Sequence, residues 1–386
     1  MRTISIFGVT GSIGCTAANI LAGQSNKFTI TVITGGNNVT ELAKQAIRLS
    51  PRYVVIANET HLNELRNLLI GYNFEISGGR QALINAASIP VDISLQGIVG
   101  FPGVECSLTA AKFSKTLALA NKESLVCAGP LLQNICTINN TKLVPVDSEH
   151  SAIFQCMLGE SIETVEKIIL TGSGGPFLNT SIEDLKSVTP KQAASHPRWS
   201  MGQRISIDSA SMFNKAMEII ETKELFNVSV DKLEVVIQPQ SIIHSMVGFN
   251  DGSIKAQLGP ADMSGAIGYA INYPNRDPLT VERLNFLELR QLDFLPVDHL
   301  KFPAINLSIR AIMIGGMAGA VFNAAKEQAL DLFLIGNIGF LDMARCVEFA
   351  LNEYELNPIQ HNFIFEDIME LDTHMRIRVI EMAKGL

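Results

Sequence analysis

From Arg2 to about Pro145, short β-branched apolar runs alternate with helix-patterned stretches, and this alternation limits the possible folds more than any other feature of the chain. Thr3–Phe7, Ile30–Ile33, Tyr53–Ile56, Ile93–Ile98, Thr116–Ala120 and Lys142–Val146 read as strands, with Val39–Leu49 and His61–Leu69 among the helices between them. Continuous apolar runs of this length suit parallel strands buried on both faces. Residues 1–146 therefore read as an α/β, doubly wound, Rossmann-like parallel-sheet domain. From 147 to 273 the pattern changes to strands at Thr164–Leu170, Leu233–Ile237 and Ile254–Leu258 among longer helical or loop stretches, an α+β catalytic domain. Pro274, Pro278, Pro296 and Pro303 mark 274–304 as a linker. Residues 305–386 carry helical periodicity without a strand signal and read as a C-terminal α-helical domain.

Composition narrows the class. A chain of 386 residues has a prior of two to three domains, at about 150 residues each. With 47% hydrophobic and 18% charged residues it is a packed protein, neither disordered nor a coiled coil. Thirty bases against 38 acids give 30 − 38 = −8, which argues against a nucleic-acid partner. Cys15, Cys106, Cys127, Cys136, Cys156 and Cys346 show neither a CxxC pair nor zinc-like spacing, so reduced thiols and a cytoplasmic location are expected. Met1–Ala22 imitates a signal peptide, but Gly8, Gly11 and Gly14 punctuate it as a strand, turn and helix. No run is long enough to span a membrane, and Ala311–Phe322, flanked by Arg310, reads as one buried helix.

Two motifs carry chemistry. The first, Gly8-Val9-Thr10-Gly11-Ser12-Ile13-Gly14, follows a strand and opens a helix, where backbone amides face a dinucleotide pyrophosphate. Its spacing is GxxGxxG rather than GxGxxG. At the end of the second strand, Gly36, Asn37 and Asn38 stand where an NAD-specific site places a carboxylate, and the missing acid favours NADPH.

The second is Asp147-Ser148-Glu149-His150 at a strand end. In an extended backbone Asp147 and Glu149 share a face, and two carboxylates there suit a hard cation such as Mg²⁺ or Mn²⁺. A third acid is sought in Asp208–Glu218. On a helix Asn214 and Lys215 lie four and three residues before Glu218, with Ser209 near the N-terminal end. Side-by-side cation and anion handles suit a metal-chelated sugar phosphate, although alone they would read as an ordinary surface pair and cap. Thr171–Phe177 offers amides and the Ser173 hydroxyl to a phosphate. The loop Ser195–Gly202 holds the single tryptophan, Trp199, a packing anchor or a lid.

Taken together, GVTGSIG (8–14), ALANKESLVCAG (118–129), PVDSEHSAIFQC (145–156), TGSGGPF (171–177), HPRWSMG (196–202), DSASMFNKAMEIIE (208–221) and QPQSIIHSMV (238–247) strongly resemble the 1-deoxy-D-xylulose 5-phosphate reductoisomerase family. The resemblance implies a homodimeric enzyme that uses NADPH and Mg²⁺, Mn²⁺ or Co²⁺ to make 2-C-methyl-D-erythritol 4-phosphate in the non-mevalonate isoprenoid pathway. In the family's favoured scheme a retro-aldol cleavage and re-aldolisation precede reduction of an aldehyde. By position, Asp147, Glu149 and Glu218 resemble the metal ligands. Lys122, Ser148, Ser173, His196, Ser209, Asn214, Lys215 and Glu218 resemble the substrate side, with Trp199 and Met201 in the lid. Thr10, Gly11, Ser12, Ile13, Gly36, Asn37, Asn38, Asn121, Glu123 and Gly202 fall on the cofactor side. Lys122, Glu149 and His196 are the catalytic candidates.

Three positions depart from the family pattern: Asn37 for a basic residue, Gln238 for a histidine, and Val9 for a small hydroxyl residue. Competing readings are an NADP-dependent dehydrogenase of another small phosphorylated carbonyl compound, which needs no carboxylate triad, and a nucleotide-sensing regulator. The regulator would need a basic or helix-turn-helix segment that this acidic chain lacks.

Overall fold

The structure is a computed structural model and describes residues 1–199, 201–359 and 362–386. In chain order the strands are β1 (Arg2–Phe7), β2 (Phe28–Gly35), β3 (Tyr53–Ile56), β4 (Glu75–Gly78), β5 (Val91–Gln96), β6 (Ser114–Leu119), β7 (Lys142–Pro145), β8 (Val165–Gly172), β9 (Leu233–Ile237), β10 (Ile243–Phe249) and β11 (Ile254–Leu258). The helices are α1 (Ser12–Ala22), α2 (Val39–Leu49), α3 (Leu62–Leu68), α4 (Arg80–Ala87), α5 (Gly103–Phe113), α6 (Glu123–Asn139), α7 (Ser148–Cys156), α8 (Ile182–Leu185), α9 (Pro190–Ala193), α10 (Gln203–Ala210), α11 (Phe213–Phe226), α12 (Ser264–Asn272), α13 (Phe286–Leu289), α14 (Ala304–Ile314), α15 (Ala318–Leu334), α16 (Asp342–Glu355) and α17 (Phe365–Ala383).

Two compact units result. The first gathers Met1–Ser124, Pro130–Ser151 and Asp262–Val281; the second gathers Leu125–Gly129, Ala152–Ala261 and Glu282–Leu386. This packing division cuts across the segments expected at 147, 274 and 305. Residues 262–281 join the first unit because α12 lies against α1 and β7, and the Arg2 guanidinium donates to the carbonyls of Ile271 (3.0 Å) and Tyr273 (3.1 Å). The remainder of the expected linker includes α13 and a bridge from Leu295 to Ile237.

The first unit is built on a parallel sheet in the order β4-β3-β2-β1-β5-β6-β7. Its central strand β1 buries Ile4, Ile6 and Phe7, as expected where helices cover both faces. Asn38 caps α2 by accepting from the Glu41 amide at 3.1 Å. Helix α6 breaks its regular geometry at Ala128, two residues before Pro130, whose missing N–H forces the kink.

In the second unit a mixed sheet runs β11-β10-β8-β9, with β10 antiparallel to β8 and β11 and β9 parallel to β8. The apolar run at 311–322 is two helices rather than one. Gly315 and Gly316, both at positive φ, end α14 and start the turn into α15. Helix α15 is buried on most of its surface and packs against α16 and α17. At Gly319 an added Cβ would lie 2.1 Å from the Val126 carbonyl oxygen, so glycine permits that close approach. No helix among the described residues is long and apolar enough to cross a membrane, and the six cysteines form no disulfide.

Candidate active site

The glycine turn is shaped by contact. Gly8 has φ +86, and a Cβ there would meet the Gly97 carbonyl oxygen at 2.7 Å. A Cβ on Gly14 would lie 2.2 Å from the Gly8 carbonyl oxygen, so α1 sits directly on the turn. Gly11 is different: its nearest such contact is 3.5 Å, and it is the N-cap of α1 without a side-chain cap. With Gly11 and Ser12 exposed and Thr10 and Ile13 half-buried, the first amides of α1 present an anion site. Val9 contributes backbone, its amide donating to Thr34 O at 2.7 Å.

At the end of β2, Gly36, Asn37 and Asn38 are exposed and carry no acid. Asn37 Oδ1 accepts from Asn58 Nδ2 at 2.9 Å, whereas the Asn38 side chain is occupied by its cap of α2. Asn121 is buried; its Nδ2 reaches Ile98 O (2.8 Å), Gly100 O (3.0 Å) and Glu123 Oε2 (2.7 Å), and its Oδ1 caps Ser124 N at 3.0 Å. It therefore ties the loop after β5 to the start of α6.

The acidic run does not continue as a strand. Ser148 opens α7, so Glu149 stands in the first helical turn rather than on an extended strand, yet the Asp147 and Glu149 carboxylates still come within 4.8 Å of each other. Asp147 instead caps that helix, its Oδ1 accepting from Glu149 N at 3.2 Å. Lys122 Nζ lies 2.9 Å from Asp147 Oδ2, and buried His150 Nδ1 lies 3.0 Å from Oδ1. Burial opposes ionisation of Asp147, but the Lys122 ammonium and His150 overcome it and hold the carboxyl well below the usual range. Ser148 Oγ donates to Glu149 at 2.5 Å. Sequence reasoning gave His150 no role. Its signal was the spacing, three residues after Asp147 and hence one turn along.

The second unit brings Asn214, Lys215 and Glu218 together on α11, as the helical spacing requires. Asn214 donates to Glu218 at 2.5 Å, and Lys215 pairs with Glu218. Lys215 is 4% and Glu218 1% exposed, so the pair is buried rather than an ordinary surface one. Ser209 is not at the N-terminal end of α11. It lies in the last turn of α10, and the chain turns into α11 at Met212, which has φ +62.

The loop after β8 packs on both helices. A Cβ on Gly175 would meet Ser209 O at 3.0 Å, and one on Gly172 would meet Lys215 Cε at 3.3 Å. Ser173 Oγ lies 3.0 Å from His196 Nε2 and accepts from Gly175 N at 3.2 Å. The amides of Arg198 (3.2 Å) and Trp199 (2.9 Å) donate to His196 Nδ1, so the proton of the neutral ring sits on Nε2 and points to Ser173. Burial lowers the His196 pKa and favours that neutral ring. Trp199 is half-buried with its ring 6.2 Å from that of His244; Met201 is half-buried and Gly202 exposed. Ser200 lies outside the described residues. Gln238 is fully buried, its Oε1 accepting from Ile242 N at 2.8 Å to brace the turn into β10.

A family model described as 1-deoxy-D-xylulose 5-phosphate reductoisomerase matches residues 4–129, and two models of its C-terminal domains match 143–226 and 258–378. Proteins of that name from Ruegeria sp. (strain TM1040) and Cereibacter sphaeroides (strain ATCC 17025) are 46% and 47% identical. Both alignments cover 99% of this chain and 98% of the relative. A 1-deoxy-D-xylulose 5-phosphate reductoisomerase structure from Zymomonas mobilis, in complex with NADPH, superposes with a TM-score of 0.94 at 40% identity, covering 100% of this chain and 99% of that one. A DOX-P reductoisomerase in complex with NADPH, fosmidomycin and magnesium gives a TM-score of 0.94 at 34% identity over 100% and 98% of the two chains. With full-length relatives above 45% identity and its chemistry-bearing motifs set on the matching fold, this chain belongs to the 1-deoxy-D-xylulose 5-phosphate reductoisomerase family.

Proposed function

We propose that this chain converts 1-deoxy-D-xylulose 5-phosphate and NADPH to 2-C-methyl-D-erythritol 4-phosphate with a divalent cation, a step of the non-mevalonate isoprenoid pathway. One observation carries this reading beyond family membership. The glycine turn after β1 and the ionised Asp147 after β7 stand at the same C-terminal edge of one parallel sheet. They are three strand spacings apart, about 14 Å. A dinucleotide site and a cation-binding carboxylate on one edge serve a reaction that both rearranges and reduces.

The residues fit both groups. Uncapped amides at α1 suit a pyrophosphate, and the acid-free end of β2 tolerates the 2′-phosphate of NADPH. Asp147, Glu149 and Glu218 are oxygen donors suited to Mg²⁺, Mn²⁺ or Co²⁺. When bound, the dinucleotide supplies the hydride and the cation supplies Lewis acidity at the substrate's oxygens.

The chain does the rest. Ser173 Oγ accepts twice, so its own hydrogen is directed to a third partner, the substrate phosphate, alongside Ser209, Asn214 and Lys215. The Lys122 ammonium, at 12% exposure, offsets negative charge developing on a substrate oxygen. Glu149 moves a proton at its carboxylate, and Ser148, bonded to it, faces the substrate. His196 orients Ser173 through Nε2–H, and Trp199 and Met201 close over the reacting carbons to exclude water. Thr10, Gly11, Ser12, Ile13, Gly36, Asn37, Asn38, Asn121, Glu123 and Gly202 line the cofactor side.

The reading extends to a cytoplasmic homodimer. Six thiols, five of them buried, without a disulfide fit a reducing compartment. Exposed Phe286, Leu287, Phe294, Leu295 and Leu300 fall within fifteen residues and call for a covering surface. Light scattering at working concentration should give twice the chain mass, and a monomer would contradict the dimer. The activity is tested by following NADPH absorbance with the sugar phosphate after chelation. Oxidation should require added Mg²⁺ or Mn²⁺, and metal-independent turnover would overturn the reading.

A further inference from the structure

Two ion pairs hold α10 to α15, and neither belongs to the residues assigned above. Asp208 Oδ2 accepts from Lys326 Nζ at 3.0 Å with side chains 13% and 5% exposed, and one turn earlier Arg204 pairs with Asp331 at the surface. Helix α15 is anchored in turn by Arg376 of α17, which reaches Glu327 at 2.6 Å and Asp372 at 2.7 Å. A buried ion pair is weak evidence for stability, because desolvation offsets its attraction; its better-attested use is to select one arrangement. Here the arrangement selected is that of α10. The residue after Asp208 is Ser209, whose carbonyl abuts Gly175 in the loop that also touches Lys215 at Gly172. Helix α10 buries Ser206, Ile207 and Ala210 and exposes Gln203, Arg204 and Ile205, so on its outer side the two ion pairs to α15 set its position.

We propose that Lys326, acting through Asp208, is a positioning residue for the substrate phosphate, holding α10 so that Ser209 meets the Gly172–Gly175 loop in the binding arrangement. The inference rests on the assignment of Ser173, Ser209 and Lys215 to the phosphate. A residue acting only there shifts KM for the sugar phosphate and leaves the cofactor alone.

The test compares full-length, metal-loaded wild type with Lys326→Met, Asp208→Asn and the double variant. Each single variant should raise KM for 1-deoxy-D-xylulose 5-phosphate about tenfold, about 1.4 kcal/mol. kcat and KM for NADPH should stay within about twofold, and the double variant should be no worse than the singles. Inorganic phosphate, titrated against Trp199 emission, should bind correspondingly more weakly. An unchanged KM and phosphate affinity would overturn the proposal, as would parallel losses in thermal midpoint and both KM values, which mark a merely structural pair. Should Lys326→Met fail to fold, Asp208→Asn carries the same comparison. If wild type does not turn over the sugar phosphate, the substrate reading fails. The phosphate titration then decides the positioning role by itself.

Discussion

At the scale of single residues, environment sets the chemistry. Glu149 carries the proposed proton transfer, and Glu149→Gln keeps its size while removing the charge. Turnover should fall by about 10²–10⁴-fold while NADPH affinity, measured by direct titration, is unchanged. Retained turnover would remove Glu149 from the mechanism. His196 makes a separate prediction about pH. Its folded pKa is depressed by burial below the ordinary value near 6.5, so the unfolded chain binds the proton more readily. Stability is therefore full above about pH 6.5 and declines as pH falls from there toward the folded pKa. Denaturant titrations should show that decline in wild type and a flatter profile in His196→Asn. Identical slopes would mean that the ring is not held neutral by its surroundings.

At the scale of elements, the glycine turn offers the sharpest contrast. Gly14→Ala places a methyl 2.2 Å from the Gly8 carbonyl and should cost about 1–3 kcal/mol or more, seen as a lowered melting temperature of the apoprotein. Gly11→Ala meets nothing closer than 3.5 Å at φ −85 and should cost only the lost N-cap preference, about 0.5 kcal/mol, a clearly smaller drop in melting temperature. Equal effects would contradict the close-packing account. This turn was legible in the sequence because the packing of Gly14 on Gly8 is local, although Gly8 also abuts Gly97, and α2 was found at Val39–Leu49 as expected. Non-local constraints were not legible. Edge strand β4, Glu75–Gly78, has too short and polar a run to show a period, and β10 hides His244 and Ser245 in a buried strand. Asp147-Ser148-Glu149 reads equally well as strand or cap; Ser148 begins a helix because Asp147 accepts its amides. Ser209 fell outside α11 because the left-handed Met212 breaks the helix, a conformation that methionine does not announce.

At the scale of the whole molecule, the dinucleotide turn, Lys122, Asp147 and Glu149 belong to the first compact unit, and Ser173, His196, Ser209, Lys215 and Glu218 to the second. The sequence pointed to these residues through the family resemblance, but not to the burial of Lys215 and Glu218 or to the Lys326–Asp208 pair between α15 and α10, since both depend on segments far apart in the chain. Trp199, the single tryptophan, reports on its loop without interference. Its emission should change when the sugar phosphate binds to the NADPH- and metal-loaded protein, and an invariant signal would refute its closing role. The central claim is rearrangement coupled to reduction. NMR identification of the product from 1-deoxy-D-xylulose 5-phosphate, NADPH and Mg²⁺ tests it most directly: the branched 2-C-methyl-D-erythritol 4-phosphate is predicted, and a linear reduced sugar phosphate would contradict it.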